Sequence, residues 1–246
     1  MLQNENIYLF LAILPIISFL YSSVGHGGAS GYLALMALFS FAPENMKPTA
    51  LLLNLFVAGI SFFYYYREGY FNKKLFLVFA IASVPLAFIG GTIEVDASIY
   101  KKILAILLIF AILKMLNVFG KENDQTKEAR LWQGLVVGGV IGFFSGLIGI
   151  GGGIILTPII LLLHWGNMKE AAAVSALFIW VNSAAGLTGQ LSSGITIEKE
   201  SFLLVGIALI GGVLGGYYGS KKINHQNLRY ILAFVLIIAS VKLFFT

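Results

Sequence analysis

Long apolar runs separated by short polar stretches extend along most of the 246-residue chain. Each run is interpreted as a helix, because the interior of a bilayer offers backbone amides no partner outside their own segment. Ten runs are present, covering residues 6–24, 28–41, 49–66, 75–93, 103–118, 131–149, 153–164, 171–190, 201–219 and 229–245. The pattern predicts an all-α polytopic membrane protein with eight to ten transmembrane or re-entrant helices.

Composition supports this class and excludes several functions. Hydrophobic residues make up 59% of the chain and charged residues 11%, more apolar surface than a soluble core of this size can bury. Cysteine is absent and the three histidines are dispersed, so we expect no cofactor and no metal site. The net charge of +5 is scattered through short loops and forms no patch for nucleic acid.

A polar stretch at residues 120–130, G-K-E-N-D-Q-T-K-E-A-R, divides the chain into two halves of five apolar segments, residues 1–119 and 131–246. The halves share five features in the same order: the glycines at 25, 27 and 28 match 149, 151 and 152, Asn45–Lys47 matches Asn167–Lys169, and three further matches follow. Loop charges are swapped between the copies, which predicts an inverted repeat. In the second half glycines recur every fourth residue in two series, at 134–146 and 211–219, and predict close helix packing.

Basic residues indicate the orientation in the membrane. If segments 1, 2, 6 and 7 cross, or form re-entrant pairs, eleven of the 16 basic residues lie on one face and five on the other. If segments 2 and 7 alone fail to cross, the split is nine to seven and decides little, so the first arrangement is preferred. The positive-inside rule then places the central linker in the cytoplasm and both termini outside. The N-terminus lacks a basic signal-peptide region, so the first run should remain as a span in a multi-pass inner-membrane protein. The sequence leaves the oligomeric state open.

The glycine-rich stretch at residues 145–158, S-G-L-I-G-I-G-G-G-I-I-L-T-P, is the candidate working centre. Irregular backbone at membrane depth occurs where it is enclosed by protein or lines a cavity, and a following helix N-terminus favours an anion. The first half contributes a partial copy at residues 22–31. Candidate substrate-binding residues are Gly25, His26, Gly27, Gly28, Gly149, Gly151, Gly152, Gly153, Asn54 and Asn182. The alternative is that the glycines only permit tight turns or close helix crossings.

The types and positions of the polar side chains limit how an anion could be bound and how its transport could be coupled to protons. All 11 acidic residues lie at segment ends or in loops, so the sequence provides no buried carboxylate for proton relay. Backbone dipoles and neutral donors would hold the anion; besides the two asparagines, the candidates are Ser22, Ser23, Ser145, Ser175 and Gln190. His26 is the titratable group inside the suspected site and offers proton coupling. A neutral structural histidine is the alternative.

The sequence resembles the sulfite exporter TauE/SafE family of membrane permeases. The resemblance rests on G-I-G-G-G-I-I-L-T-P at residues 149–158, the partial copy G-H-G-G-A at residues 25–29, and the Arg67-Glu68-Gly69 loop. It implies transport of small sulfur oxyanions or organosulfonates, typically out of the cytoplasm. The first copy departs from the family pattern at His26, Ala29 and Ala34.

Together these features predict a permease, not an enzyme, that moves a small anion such as sulfite by alternating access at the glycine site. Within transport, the alternative is an uptake permease or a channel for another small solute. From other classes, the alternatives are an intramembrane enzyme or a subunit of a membrane complex. An enzyme would require a buried acid–base pair, and only His26 with Ser22 or Ser23 is near enough in sequence.

Overall fold

The computed structural model describes residues 7–115 and 126–221, together with residues 237 and 241. Within these residues all regular structure is helical, in nine helices and no strands. They are α1 (Ile7–Ser23), α2 (Ala29–Leu38), α3 (Pro43–Arg67), α4 (Lys73–Thr92), α5 (Ala97–Met115), α6 (Leu131–Ile148), α7 (Gly153–Leu162), α8 (Met168–Ser192) and α9 (Glu200–Lys221). The tenth predicted segment, 229–245, lies almost wholly outside the described residues.

Helix lengths confirm the predicted all-α membrane class. Five helices, α3, α4, α6, α8 and α9, are long and apolar enough to cross a bilayer. By contrast, α2 and α7 have 10 residues each. At 1.5 Å per residue each short helix extends about 15 Å, roughly half the hydrocarbon thickness. Both short helices begin directly after the glycine stretches.

Small residues allow two helix pairs to approach closely, as the glycine spacing predicts. In the α4–α6 pair, Gly138 and Gly142 lie against the backbone carbonyls of Phe79 and Ser83. In the α1–α9 pair, Gly215 lies against the carbonyl of Phe19. A methyl group at any of these glycines would overlap backbone of the neighbouring helix, so neither pair can accept a larger residue without separating.

The two longest helices, α3 and α8, pack antiparallel through the middle of the molecule. The Asn54 Nδ2 donates to Ser183 Oγ over 3.2 Å. On one side of that bond Leu51 contacts Gly186, and at the far end Tyr65 packs with Ala172. Residue numbers therefore rise on α3 as they fall on α8. We call this contact the α3–α8 seam.

The first helix of each predicted half packs against the fourth helix of the other, α1 with α9 and α6 with α4. Such an exchange is what an inverted repeat would give. The domain boundaries at 119 and 131 stay a prediction, since residues 116–125 lie outside the described part of the chain.

Candidate functional site

The two glycine stretches meet at the α3–α8 seam. Gly27, from the first stretch, and Gly151, from the second, both lie against the side chains of Asn54 and Ile179. A Cβ atom at Gly151 would lie 2.5 Å from Asn54 Nδ2 and 2.9 Å from Ile179 Cγ2. Gly153 lies against Ile179 as well. We call these five residues the glycine–asparagine centre.

Both short helices begin at this centre from a left-handed glycine. Gly28 precedes α2 with φ of 101°, and Gly152 precedes α7 with φ of 80°. Residues with a side chain rarely adopt this backbone, so the reversals depend on glycine. The Ala29 N–H, in the first turn of α2, donates to Asn54 Oδ1 over 3.1 Å. The α3 asparagine therefore caps α2 from outside that helix.

Beside the centre, three buried side chains form a polar network at α7. The Thr157 Oγ1 lies 2.8 Å from Ser175 Oγ, 3.2 Å from His26 Nε2 and 3.1 Å from the Gly153 carbonyl oxygen, and its one proton goes to one of these atoms at a time. The other ring nitrogen of His26, Nδ1, lies 2.9 Å from the Val24 carbonyl oxygen. Because a carbonyl only accepts, Nδ1 carries a proton, and Nε2 is the nitrogen that can gain one. This network links the first glycine stretch to α7 and α8.

Three of the predicted site residues, Gly25, Gly149 and Asn182, have their contacts outside the centre. Gly25 packs against the backbone of Ala172, and Gly149 against that of Lys47. The carboxamide of Asn182 donates to the Phe178 carbonyl of its own helix over 2.7 Å. The structure therefore brings Gly27, Gly151, Gly153 and Asn54 together, places Gly28 and Gly152 at the helix starts, and leaves Gly25, Gly149 and Asn182 outside the centre.

The predicted neutral donors fall into three groups. Ser22 donates to the Gly212 carbonyl and so joins α1 to α9, whereas Ser23 donates to the Leu20 carbonyl of its own helix. Ser175 belongs to the His26 network. Ser145 Oγ and both polar atoms of Gln190 are buried without a hydrogen-bond partner in the described structure.

Sequence reasoning missed Ser183, Ile179 and the role of Thr157 as the contact of His26. Ser183 follows Asn182 directly, and no local signal tells which of two adjacent polar residues faces a partner helix. Thr157 lies four residues after Gly153, a spacing that also allows it to bond its own helix. Its contacts with other helices depend on tertiary packing.

The centre has no ionisable side chain, and both the centre and the His26 network beside it are closed to solvent. The side chains of Asn54, Ser175 and Ser183 are 0% exposed, Thr157 is 2% exposed and His26 5%. Among the residues described here, no group of three histidine, aspartate or glutamate side chains could hold a metal. What the centre offers a ligand is amide and hydroxyl donors and the starts of two helices, a combination suited to anions and small polar solutes.

Apolar spanning helices that enclose a buried polar centre between two broken helices define a polytopic membrane transporter. The comparisons agree with this class: the sequence model of the family Sulfite exporter TauE/SafE matches residues 9–243, and the chain belongs to that family.

Relatives across bacteria and archaea carry matching descriptions. A protein of Sinorhizobium fredii named as a probable membrane transporter is 34% identical over 98% of this chain and 99% of its own length. Similarly named proteins of Methanocaldococcus jannaschii and Escherichia coli are 28% and 26% identical, covering 93% and 96% of this chain and 93% and 87% of their own lengths. No solved structure gives a significant match.

Proposed function

We propose that this transporter is a permease for a small anion, a sulfur oxyanion or organosulfonate such as sulfite, which it exports by alternating access. The observation that carries the proposal is the convergence of two broken helices, α2 and α7, on the buried Asn54. Helix N-termini attract negative charge, and Asn54 and Ser183 add hydrogen-bonding groups. No carboxylate side chain lines the centre among the described residues to repel an anion.

In this proposal the described conformation is the occluded one, since the centre is buried. Release to either face requires the α3–α8 seam to loosen on that side, because the seam covers both glycine stretches. We propose that the linker at residues 120–130 is cytoplasmic and that both termini are outside, in the inner membrane, on the basis of the eleven-to-five charge bias. Under this orientation the end of the seam with Lys47 faces outside and the end with Lys169 faces the cytoplasm.

We also propose that transport is coupled to protons through His26. When the imidazole is neutral, the Thr157 hydroxyl donates to Nε2. When it is protonated, Nε2 donates to Thr157 Oγ1, and the hydroxyl turns to the Gly153 carbonyl, which is 3.1 Å away. A proton therefore adds positive charge beside the first turn of α7 and reverses one hydrogen bond there. The added positive charge favours an anion at the centre.

Flux measurements on the purified full-length protein test the function. Proteoliposomes should accumulate labelled sulfite, or a sulfonate such as isethionate, above protein-free liposomes, and an imposed pH gradient should change the initial rate. Sulfate and thiosulfate serve as competitors that define the anion class. Flux of uncharged solutes with no flux of any anion would contradict the proposal and favour the uptake permease or channel for another solute.

Replacing His26 by glutamine tests the proton coupling. Glutamine can hydrogen-bond Thr157 and Val24 but does not titrate, so we expect the variant to retain measurable flux and to lose most of its dependence on pH. Initial rates between pH 5.5 and 8 measure this, a range of about 2.5 pH units around the ordinary histidine pKa. Replacing His164, at the end of α7, by glutamine is the matched control and should leave the pH profile unchanged. A pH profile of the His26 variant equal to that of the unmodified protein would make His26 structural.

A further inference from the structure

Lys47 is a buried cation in α3. The sequence predicted this helix to begin at residue 49, whereas it begins at Pro43. The Lys47 side chain belongs to the second turn of α3 and the residue is only 7% exposed. The ammonium group donates to the carbonyls of Gly91 and Ile93, at the end of α4, over 3.4 and 3.3 Å. Both distances are at the long end for hydrogen bonds, so this cation is weakly held for its burial.

Gln190 is a buried amide that lacks partners. It lies near the end of α8, is 0% exposed, and neither Nε2 nor Oε1 has a hydrogen-bond partner in the described structure. Burying an amide with both polar atoms unpaired is costly, and such groups in native proteins commonly indicate an absent ligand or water. The predicted anion donors included Gln190, but no partner could be assigned from sequence.

The antiparallel register of the α3–α8 seam places Lys47 and Gln190 at the same height along the two helices. Asn54 lies seven residues after Lys47 on α3, and Gln190 lies seven residues after Ser183 on α8. Seven residues are two helical turns, so each pair shares one face of its helix at a spacing of about 10 Å. Because the helices are antiparallel and Asn54 is bonded to Ser183, the same register places Lys47 opposite Gln190.

The end of α4 closes the space around this pair. Gly91, whose carbonyl accepts from Lys47, lies against Gly189, the neighbour of Gln190 on α8. Ser193 Oγ donates to the Thr92 carbonyl over 3.1 Å. The ends of α4 and α8 are therefore joined directly beside the ammonium group. The contacts of α4 thus place Lys47 near Gln190 independently of the register between α3 and α8.

The opposite end of the seam is built differently. The Lys169 ammonium donates to the carbonyls of Gly219 and Ser220 over 3.1 and 3.0 Å, and lies 5.5 Å from the ring centroids of Tyr65 and Tyr70. The Tyr65 hydroxyl donates to the Ser23 carbonyl over 2.9 Å. The polar groups at this end already have partners, whereas those at the Lys47 end include the unpaired Gln190.

We propose that Lys47 and Gln190 form a second anion-binding site, the outer anion site, two helical turns from the glycine–asparagine centre. The inference rests on the proposed transport of a small anion. Its ligand is a small oxyanion with at least two acceptor oxygens, one for the ammonium group and one for the amide N–H, as in sulfite or a sulfonate. Lys47 turns from the Gly91 and Ile93 carbonyls to the anion as it arrives. Under the proposed orientation, an exported anion reaches this site last.

Glu94 carries the negative charge that acts on Lys47 in the described structure, and its side chain is exposed. It lies beyond the end of α4 and directly follows Ile93, whose carbonyl accepts from Lys47. A carboxylate in this place competes with an arriving anion and helps to expel a bound one. Replacing Glu94 by glutamine is therefore expected to tighten anion binding at the outer site.

A tethered carboxylate tests the geometry without reference to transport. In the full-length protein in detergent, Gln190→Glu places a carboxylate where the anion would bind and should raise the melting temperature above that of Gln190→Leu. The rise should disappear when Lys47 is replaced by methionine in both variants. Equal melting temperatures of the glutamate and leucine variants with Lys47 present would overturn the site.

Sided flux in oriented proteoliposomes tests the ligand. With sulfite as the probe, Lys47→Met and Gln190→Leu should each raise the KM at least tenfold from the face where α3 begins, and Lys47→Arg should retain more affinity. Lys169→Met is the matched control and should leave that KM unchanged. If sulfite is transported but its KM is unchanged in Lys47→Met and Gln190→Leu, the outer site is overturned while the proposed function stands. Absence of sulfite flux in the unmodified protein contradicts sulfite as substrate, and the tethered carboxylate then decides the outer site.

Discussion

Alanine at position 151 should reduce anion flux by at least about a hundredfold. Gly151 has φ of 79°, a backbone conformation that costs a residue with a side chain about 1–2 kcal/mol. The added methyl carbon would lie 2.5 Å from Asn54 Nδ2 and 3.2 Å from Ser183 Oγ, so it also displaces the amide at the centre of the site. Each loss of about 1.4 kcal/mol in transition-state stabilisation corresponds to a tenfold fall in rate. Initial flux of labelled sulfite into proteoliposomes measures the effect.

Gly194 provides the matched control for this substitution. It has φ of 88°, similar to that of Gly151, but nothing lies within 4 Å of the position of its Cβ. Gly194→Ala therefore introduces the same backbone strain without a clash, and should lower the melting temperature while leaving flux intact. Both variants should reach the membrane in equal amounts. Equal flux in the two variants would remove Gly151 from the site.

Leucine at position 54 should reduce flux about tenfold to a hundredfold. The substitution removes the acceptor of the Ala29 N–H and the donor to Ser183, and a buried polar group that loses its partner costs about 1–3 kcal/mol. Without this bond between α2 and α3, we expect the spacing of the two glycine stretches to become less fixed. The initial rate and the KM for sulfite, measured together, should show that both binding and turnover are impaired.

Aspartate at the same position separates structure from anion binding. Asn54→Asp retains an oxygen for the Ala29 N–H, so α2 should stay capped, but it places a negative charge at the centre and should abolish flux of any anion. Asn182→Leu is the control for Asn54→Leu with the same change in size, because in the described part of the chain the Asn182 amide donates to a carbonyl of its own helix. Sulfite flux through the aspartate variant at the unmodified rate would show that the anion does not pass this centre.

The breaks between helices could be predicted from sequence because their cause is local. The glycine runs at residues 25–28 and 149–153 interrupt apolar segments, and α2 and α7 begin where these runs end. The register between the halves could not be predicted in the same way. Sequence matching aligned Lys47 with Lys169, 122 positions apart, whereas α3 and α8 both begin and end 125 positions apart (168 − 43 and 192 − 67).

This difference of three residues changes the chemistry assigned to the centre. Shifted by 125 positions, Asn54 corresponds to Ile179, and both contact Gly27 and Gly151. One half therefore provides an amide where the other provides a hydrocarbon side chain. Asn182 was predicted for the site as a neutral donor at a plausible depth in its segment. Which helix face a residue occupies relative to a distant partner is not encoded in its neighbours.

Hydropathy also concealed the start of α3. The segment was predicted to begin at residue 49, but the helix begins at Pro43, which is favourable in the first turn because its missing N–H would have no helical partner. The polar residues Glu44, Asn45 and Lys47 lie within those first turns. A hydropathy window reads them as a loop, so the buried position of Lys47 becomes visible only when α4 and α8 are packed around it.

The close glycine contacts of α1 with α9 and of α4 with α6 restrict how the molecule can move. In each pair, backbone of one helix lies in contact with backbone of the other, so we expect each pair to move as one body. Each body draws one helix from before the linker and one from after it. We therefore expect the parts that shift during a transport cycle to differ from the two halves predicted from the sequence, so that neither half rocks against the other as an intact unit.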